Sequence, residues 1–330
     1  MKKDLTIGLI ITLYNSKKYI KLLLKSLANQ VVPFDEIVVV DHASSDNSYQ
    51  IAIDYSLKIN LKIKHASLNI NKGGPAWPRN IGIKLSSSDY ICFNDPDDIP
   101  LLNRCYELKK ELFQNNSDII VHTLQTFREK QDNFNEIKLG SKINNSFTKK
   151  NVLNKIYFES LLTPVGSFVI RKKKIGEILF REENEIIGGE DRVFILDLLR
   201  NNCSISHLNK VLLLYNNGSF DNKSRTQRNS LTSRENTISI NKYLLNNFSI
   251  YYEGKLSPRF IVSLYLCYIT LKRYDLLVAD IKKFGLTNNL KIIFTLLRIL
   301  FNKVFNKITF KSDYKNIKKY LFKDYKLVKN

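Results

Sequence analysis

The chain has 330 residues, 44% of them hydrophobic and 25% charged, enough apolar material for a large core, which excludes wholesale disorder. It carries 52 Lys and Arg against 31 Asp and Glu, a net charge of +21. Such an excess points to a polyanionic neighbour (nucleic acid, an anionic membrane surface or a phosphate-rich ligand), unless it only reflects the codon bias of a Lys-, Asn- and Ile-rich chain. Thr6–Leu13 is a continuous apolar run, as in a strand covered on both faces. Asn15-Ser16 can cap the helix that follows, in which Ile20, Leu23, Leu24 and Leu27 form one apolar stripe. Glu36–Val40 reads as a second buried strand ending at Asp41, and the polar Ser44–Asn47 opens a second helix to about Leu57. Leu61–His65 is a short third strand, Pro75–Ser86 a helix, and Tyr90–Phe93 a fourth strand leading into Asn94–Asp98. Residues 100–225 are mixed, with an apolar periodic run at Val193–Leu199; beyond 226 the pattern is helical and basic. The βαβα order predicts an α/β fold, a mostly parallel sheet flanked by helices.

In such sheets ligands sit beyond the carboxyl ends of the strands, which draws attention to Tyr14, Asp41 and Asp95–Asp98. No GxxxxGK[ST] loop and no GxGxxG after the first strand are present, so a bound nucleotide would need a metal in place of a glycine phosphate loop. Asp95-Pro96-Asp97-Asp98 crowds three carboxylates at a strand end. That pattern suits a hard divalent cation shared with substrate phosphates, or else an Asp-rich turn or helix cap. Gly188-Gly189-Glu190-Asp191 sets two carboxylates after a flexible Gly pair, as a second acidic site or as acids of a first helical turn. In Asn69–Gly82, Lys72 and Arg79 can face phosphate, and the only tryptophan, Trp77, either covers a ring or packs. The histidines (His42, His65, His122, His207) lack ligand spacing and read as structural or surface residues. Cys92, Cys105, Cys203 and Cys267 form no CxxC pair, which argues against a zinc ribbon or disulfide scaffold and for a reducing compartment. The N-terminus lacks a signal-peptide cleavage pattern, and no apolar stretch of about 18 residues predicts a membrane span.

Taken in order, ITLYN at 11–15, EIVVVDHASSDNS at 36–48, NKGGPAWPRNIGIK at 71–84, DYICFNDPDD at 89–98 and IGGEDRVF at 187–194 resemble family 2 glycosyltransferases of the GT-A fold. The resemblance covers about residues 4–225. Through SFVIRKKKI at 167–175 it looks most like bacterial enzymes that build O-antigen, capsule, lipooligosaccharide or other surface glycans. It implies an inverting, metal-dependent transfer of a sugar from a UDP-sugar to a saccharide acceptor. Thr12 and Tyr14 would line the uracil and Asp41 would accept its imide N–H. Asp95 and Asp97 would hold Mn²⁺ or Mg²⁺ against the donor diphosphate, and Asp98 would approach the sugar. Asp191 matches the general base, Glu190 stands beside it, and Lys72 and Arg79 fall near the donor. Asn94 departs from the apolar residue usual before the Asp-x-Asp motif, and His42 follows Asp41 where Asp, Asn or Gly is common. Tyr215 is followed by Asn216 where the family often has Tyr-Arg; Lys223 and Arg225 beyond it either approach the diphosphate or form a solvated loop.

Two regions follow: a GT-A catalytic domain over residues 1–225 and a basic helical region over 226–330. The charge divides with them. Residues 226–330 hold 20 basic and 6 acidic side chains, a net of +14, against +7 for residues 1–225. Leu290–Ile308 has the pattern of an amphipathic basic helix. Such helices would rest on the anionic cytoplasmic face of the bacterial inner membrane, where a polyprenyl-diphosphate- or lipid-linked acceptor is presented; alternatively they pack on the catalytic domain or self-associate. Nucleic acid is not expected, because no recognition motif appears and an acidic catalytic face would repel phosphates. The rival reading is a GT-A-like membrane- or polyanion-binding protein without transferase activity.

Overall fold

The computed structural model describes residues 5–130, 133–143, 164–182, 186, 189–219, 230–248 and, further on, 264, 267, 268, 273, 275, 276, 279 and 280. The chain divides into two compact units, Met1–Asn229 and Ser230–Asn330.

The first unit is built on a sheet whose opening strands are those of the hydrophobic pattern. β1 (Ile7–Leu13) is buried along its whole length and lies between β2 (Glu36–Asp41) and β4 (Tyr90–Asn94), parallel to both. α1 (Ile20–Ala28) buries the predicted stripe of Ile20, Leu23, Leu24 and Leu27. Asn15 and Ser16 do not cap it: Tyr19 precedes the helix, and Ser16 lies in the turn before, its carbonyl accepting from Tyr19 N–H and Ile20 N–H at 2.9 and 3.1 Å. α2 (Ser48–Lys58) begins after Asn47, whose φ of 63° ends the polar turn. β3 is Lys64–Ser67 rather than Leu61–His65. Its register is set by β2, from Val38 opposite Lys64 to Asp41 opposite Ser67, which leaves Leu61 and Ile63 as a linker packed against the core. α3 (Ala76–Leu85) presses on β1 so closely that a Cβ on Gly82 would stand 2.4 Å from Ile10 Cγ2.

The second half of the sheet is mixed. β5 (Ile99–Pro100) and α4 (Arg104–Gln114) precede the long hairpin of β6 (Ile119–Lys130) and β7 (Asn133–Ile143). A 3₁₀ turn at Val165–Ser167 leads into β8 (Phe168–Arg171), which fits antiparallel between β4 and β6. α5 (Glu190–Arg200) then packs Phe194 flat on Phe180, with centroids 3.9 Å apart and Phe93 edge-on to both. β9 (Ile205–Ser219) runs parallel to β6 and pairs with β5 through Leu213 and Leu214. The order is β3-β2-β1-β4-β8-β6-β9-β5, with β7 on the edge of β6. One consequence matters for function: β9, far along the chain, is hydrogen-bonded to the segment that follows Asp95–Asp98.

In the second unit, α6 spans Ser230–Phe248. Lys242 pairs with Asp280 at 3.4 Å, and Tyr268 donates its hydroxyl to the same carboxylate at 2.6 Å. The amphipathic helix expected over Leu290–Ile308, and the loop carrying Lys223 and Arg225, lie outside the described residues. No helix among the described residues is long and apolar enough to cross a membrane.

Candidate active site

The strands β1, β2 and β4 run in one direction, so their carboxyl ends share one rim, and the expected residues gather there. Thr12 is buried at the end of β1, while Tyr14 just beyond is 48% exposed. Asp41 closes β2 and is only 2% exposed. Its Oδ2 accepts from Ser44 N–H at 3.1 Å and Ser67 Oγ at 3.3 Å. Its Oδ1 is buried and has no hydrogen-bond partner among the described residues. A buried acceptor left without a donor is costly, so this atom is poised for a donor that the described residues do not supply.

His42 is buried rather than a surface residue, and its Nε2 accepts from Lys72 N–H at 3.0 Å, tying the loop before α3 to the end of β2. Its ring stands edge-on to Tyr14 and to Trp77, with centroids 6.4 and 5.5 Å away. Lys72 places its ammonium 4.1 Å above the Trp77 ring and 3.4 Å from Glu182. Trp77 is thus both packed and a face of the rim. Asn80 and Phe180 exchange two hydrogen bonds, at 2.9 and 2.8 Å, which fasten α3 to the segment leading toward α5.

The two acidic motifs meet through one arginine. Arg79 is buried in α3, its Nη2 3.1 Å from Asp95 Oδ1 and its Nη1 2.9 Å from Glu190 Oε1. Burial alone would lower the Arg79 pKa, but the charges of Asp95, Glu190 and Asp191 outweigh it and hold the pKa above its ordinary value. Glu190 and Asp191 occupy the first turn of α5 behind Gly189, whose φ of 75° sets the entry into the helix, and Asp191 Oδ1 accepts from Arg192 N–H at 2.7 Å. Burial and the neighbouring Asp191 push the Glu190 pKa up against the pull of Arg79. Asp98 is more extreme: burial first, then Asp97 and Asp95, hold it well above the usual carboxylate range although Asn216 N–H donates to its Oδ1 at 2.8 Å. Asp95 and Asp97 are half-buried.

Three residues of this site escaped the sequence reading of roles. Tyr215, on β9, has its phenol pKa raised by burial and then by the charges of Asp98, Asp95, Asp97 and Asp191. Asn94 and Arg104 lie directly beneath the Asp95–Asp98 turn. Arg104 had a readable signal: it shares the i, i+4, i+8 stripe of Leu108 and Leu112, so a charge falls on the apolar face of its helix.

A mixed α/β sheet with buried acids along the carboxyl ends of its strands defines a GT-A-like protein. Solved structures share that fold, among them two with bound nucleotide sugar. Staphylococcus aureus TarS 1–349 in complex with UDP-GlcNAc aligns with a TM-score of 0.57 and 24% identity over 80% of this chain and 73% of that one. The mannosyltransferase PcManGT of Pyrobaculum calidifontis with GDP-Man and Mn²⁺ gives 0.55 and 12% over 93% and 89%. At these identities the likeness shows the fold alone. The sequence itself matches Glycosyl transferase family 2 over residues 9–179, just over half of the chain, which belongs to that family. It is also 44% identical over 93 residues to the poly(ribitol-phosphate) β-N-acetylglucosaminyltransferase TarS of S. aureus, covering 28% of this chain and 16% of that protein. With the poly(ribitol-phosphate) β-glucosyltransferase of Bacillus spizizenii it shares 38% over 124 residues, 36% of this chain and 19% of that protein. The matches therefore span under a fifth of those relatives.

Proposed function

We propose that this protein is an inverting, metal-dependent glycosyltransferase that moves a sugar from a UDP-sugar to a saccharide or polyol-phosphate polymer of the bacterial surface, carried on lipid at the cytoplasmic face of the membrane. The observation that carries this reading is the Arg79 bridge, which joins Asp95 of the Asp-x-Asp motif to Glu190 of the Glu-Asp motif at 3.1 and 2.9 Å. One site thereby holds acids suited to the leaving diphosphate and acids suited to the incoming hydroxyl. The UDP-GlcNAc complex of a structural neighbour and the poly(ribitol-phosphate) acceptors named for two relatives support the donor and acceptor classes.

The nucleobase would enter between Tyr14 and the Asp41 end of β2, with the imide N–H donating to the unpartnered Oδ1. The donor set fits a hard cation: Asp95 and Asp97 offer oxygen ligands, and crowding with Asp98 is relieved by positive charge. Among the described residues no three His, Cys, Asp or Glu side chains converge as a complete cage, so the rest of the shell would come from diphosphate and water. When bound, Mn²⁺ or Mg²⁺ neutralises charge growing on the diphosphate. In the transfer, the acceptor oxygen bonds to the anomeric carbon as the carbon–oxygen bond to UDP breaks. The electron pair leaves with UDP, and the hydroxyl proton passes to Asp191. One such displacement inverts the anomeric configuration.

Thermal-shift titration tests the reading. UDP with Mn²⁺ should raise the melting temperature well beyond UDP with chelator, and Asp97→Ala should abolish that difference. A wild-type protein indifferent to Mn²⁺ in the presence of UDP overturns it.

A further inference from the structure

On the glycosyltransferase reading, the carboxylates of Asp95 and Asp97 must be held in a fixed place, yet they stand half-buried on a turn. We propose that Asn94 and Arg104 are positioning residues that fix this turn, and with it the site for a divalent cation and diphosphate.

Arg104 opens α4 and is 0% exposed. Its Nη1 donates to Asn94 Oδ1 at 2.6 Å, and its Nη2 donates to the carbonyls of Gly166 at 2.7 Å and Phe93 at 3.2 Å. The guanidinium thus joins the end of β4, the start of α4 and the 3₁₀ turn. Because Arg104 holds Asn94 by its oxygen, the amide nitrogen faces the other way. Asn94 Nδ2 donates to Asp95 O at 2.8 Å and to Asp98 O at 3.1 Å. The same turn is closed by Asp98 N–H on Asp95 O at 3.1 Å and moored to β9 by Asn216 N–H on Asp98 Oδ1 at 2.8 Å. A side-chain amide can be turned either way; Arg104 donating to the Asn94 oxygen adds to the preference that the two carbonyls already impose on its nitrogen, and so locks the orientation from both sides.

The packing leaves little play. A Cβ on Gly166 would stand 2.8 Å from Leu213 Cδ2, 3.6 Å from Phe93 O and 3.8 Å from Asp98 Oδ2. Stability alone does not explain the arginine. Its Nε is buried with no acceptor among the described residues, and burial lowers its pKa despite the nearby Cys92 and Asp98. Apolar residues filling such a place are often as stable or more so. What the arginine supplies is the orientation of Asn94. Catalytic geometry depends on placement to about 0.5 Å, and residues behind the ligands provide it.

The test separates placement from folding. Asn94→Asp keeps an acceptor for Arg104 but replaces the two donated hydrogen bonds with repulsion; Asn94→Leu removes both contacts and keeps the fill. Calorimetric titration of the full chain with UDP, with Mn²⁺ and with chelator, is paired with urea unfolding. Both variants should lose roughly 10–100-fold of the Mn²⁺-dependent gain in UDP affinity while metal-free UDP affinity stays within about twofold. If the variants unfold at lower urea but keep the wild-type Mn²⁺-dependent gain, the pair serves stability only and the proposal fails. If wild type itself shows no Mn²⁺-dependent gain, the glycosyltransferase reading fails first and this one with it.

Discussion

The two ends of the same sheet use the same side chains in opposite ways. At the amino ends of the parallel strands, each carboxylate is saturated with donors. Glu36 accepts from Ser86 and Ser88 hydroxyls, from the Ser87 backbone and hydroxyl, and from Lys64. Asp118 gathers Ser204, Arg171 and Lys174, and Asp89 takes both the amide and the hydroxyl of Thr6. Burial would raise the Glu36 and Asp118 pKa values, but these partners overcome it and both end below the ordinary range. At the carboxyl ends the acids face one another. Asp98 and Glu190 are pushed up by burial and by neighbouring carboxylates, and Asp41 keeps a buried oxygen with no donor among the described residues. Acids satisfied by their neighbours hold the fold; crowded acids with raised pKa values make the other end the candidate site.

The sharpest way to break this contrast is to remove one acid from the working end without disturbing the fold. Asp191→Asn changes charge but little shape. It should lower sugar transfer by ~10²–10⁴-fold, the usual worth of a positioned general base, while UDP binding with Mn²⁺ persists. A normal transfer rate would remove Asp191 from the role of base.

Next in size is Arg79. Replacing it with Met keeps most of the volume but leaves Glu190 buried against Asp191, and with Asp95 deprived of its partner. Breaking a buried ion pair typically costs about 3–5 kcal/mol, which urea unfolding would read as a shifted midpoint. Adding Glu190→Gln should restore part of the loss, since the uncompensated charge is gone. A cost for Arg79→Met within about 0.5 kcal/mol, the range of an ordinary surface change, would mean that the acidic rim does not depend on this bridge.

The legible part of the protein was the part written locally. β1, α1, β2, β4 and α5 each follow from apolar runs or periodicity within a dozen residues; Asp41 and Asp95–Asp98 stand out by their position after strand ends, and Glu190 and Asp191 by the Gly pair before them. The shift of β3 was not legible, because Leu61 and Ile63 are apolar to pack the linker against the core, while pairing with β2 chooses Lys64–Ser67. Nor was the Arg79 bridge, whose partner Glu190 lies 111 residues away. The insertion of β8 between β4 and β6 is likewise a long-range choice, made by Val169 and Ile170 pairing on both sides. His42 shows the limit at a single residue: no spacing announces that its ring will accept a backbone N–H from Lys72.

The smallest expected effect sharpens the contrast from the structural end. Glu36 is held at about pKa 2, against an ordinary 4.5, because the Lys64, Ser86 and Ser87 contacts together outweigh burial. A depressed folded-state pKa contributes stability that is fully present above the ordinary value and is lost as pH falls through about 2. Wild type should therefore exceed Glu36→Gln in stability at neutral pH, and the gap should narrow between pH 4.5 and 2. Glu190 has a raised pKa, so the corresponding gap for Glu190→Gln should move the other way, shrinking as pH rises. Within the Glu36 cluster, Lys64→Met should cost under about 1 kcal/mol, since that ammonium is 54% exposed and the serine donors remain. A pH-independent gap for Glu36→Gln, or a Lys64→Met cost as large as the whole cluster, would show that this end of the sheet is held by one surface ion pair rather than by a saturated carboxylate.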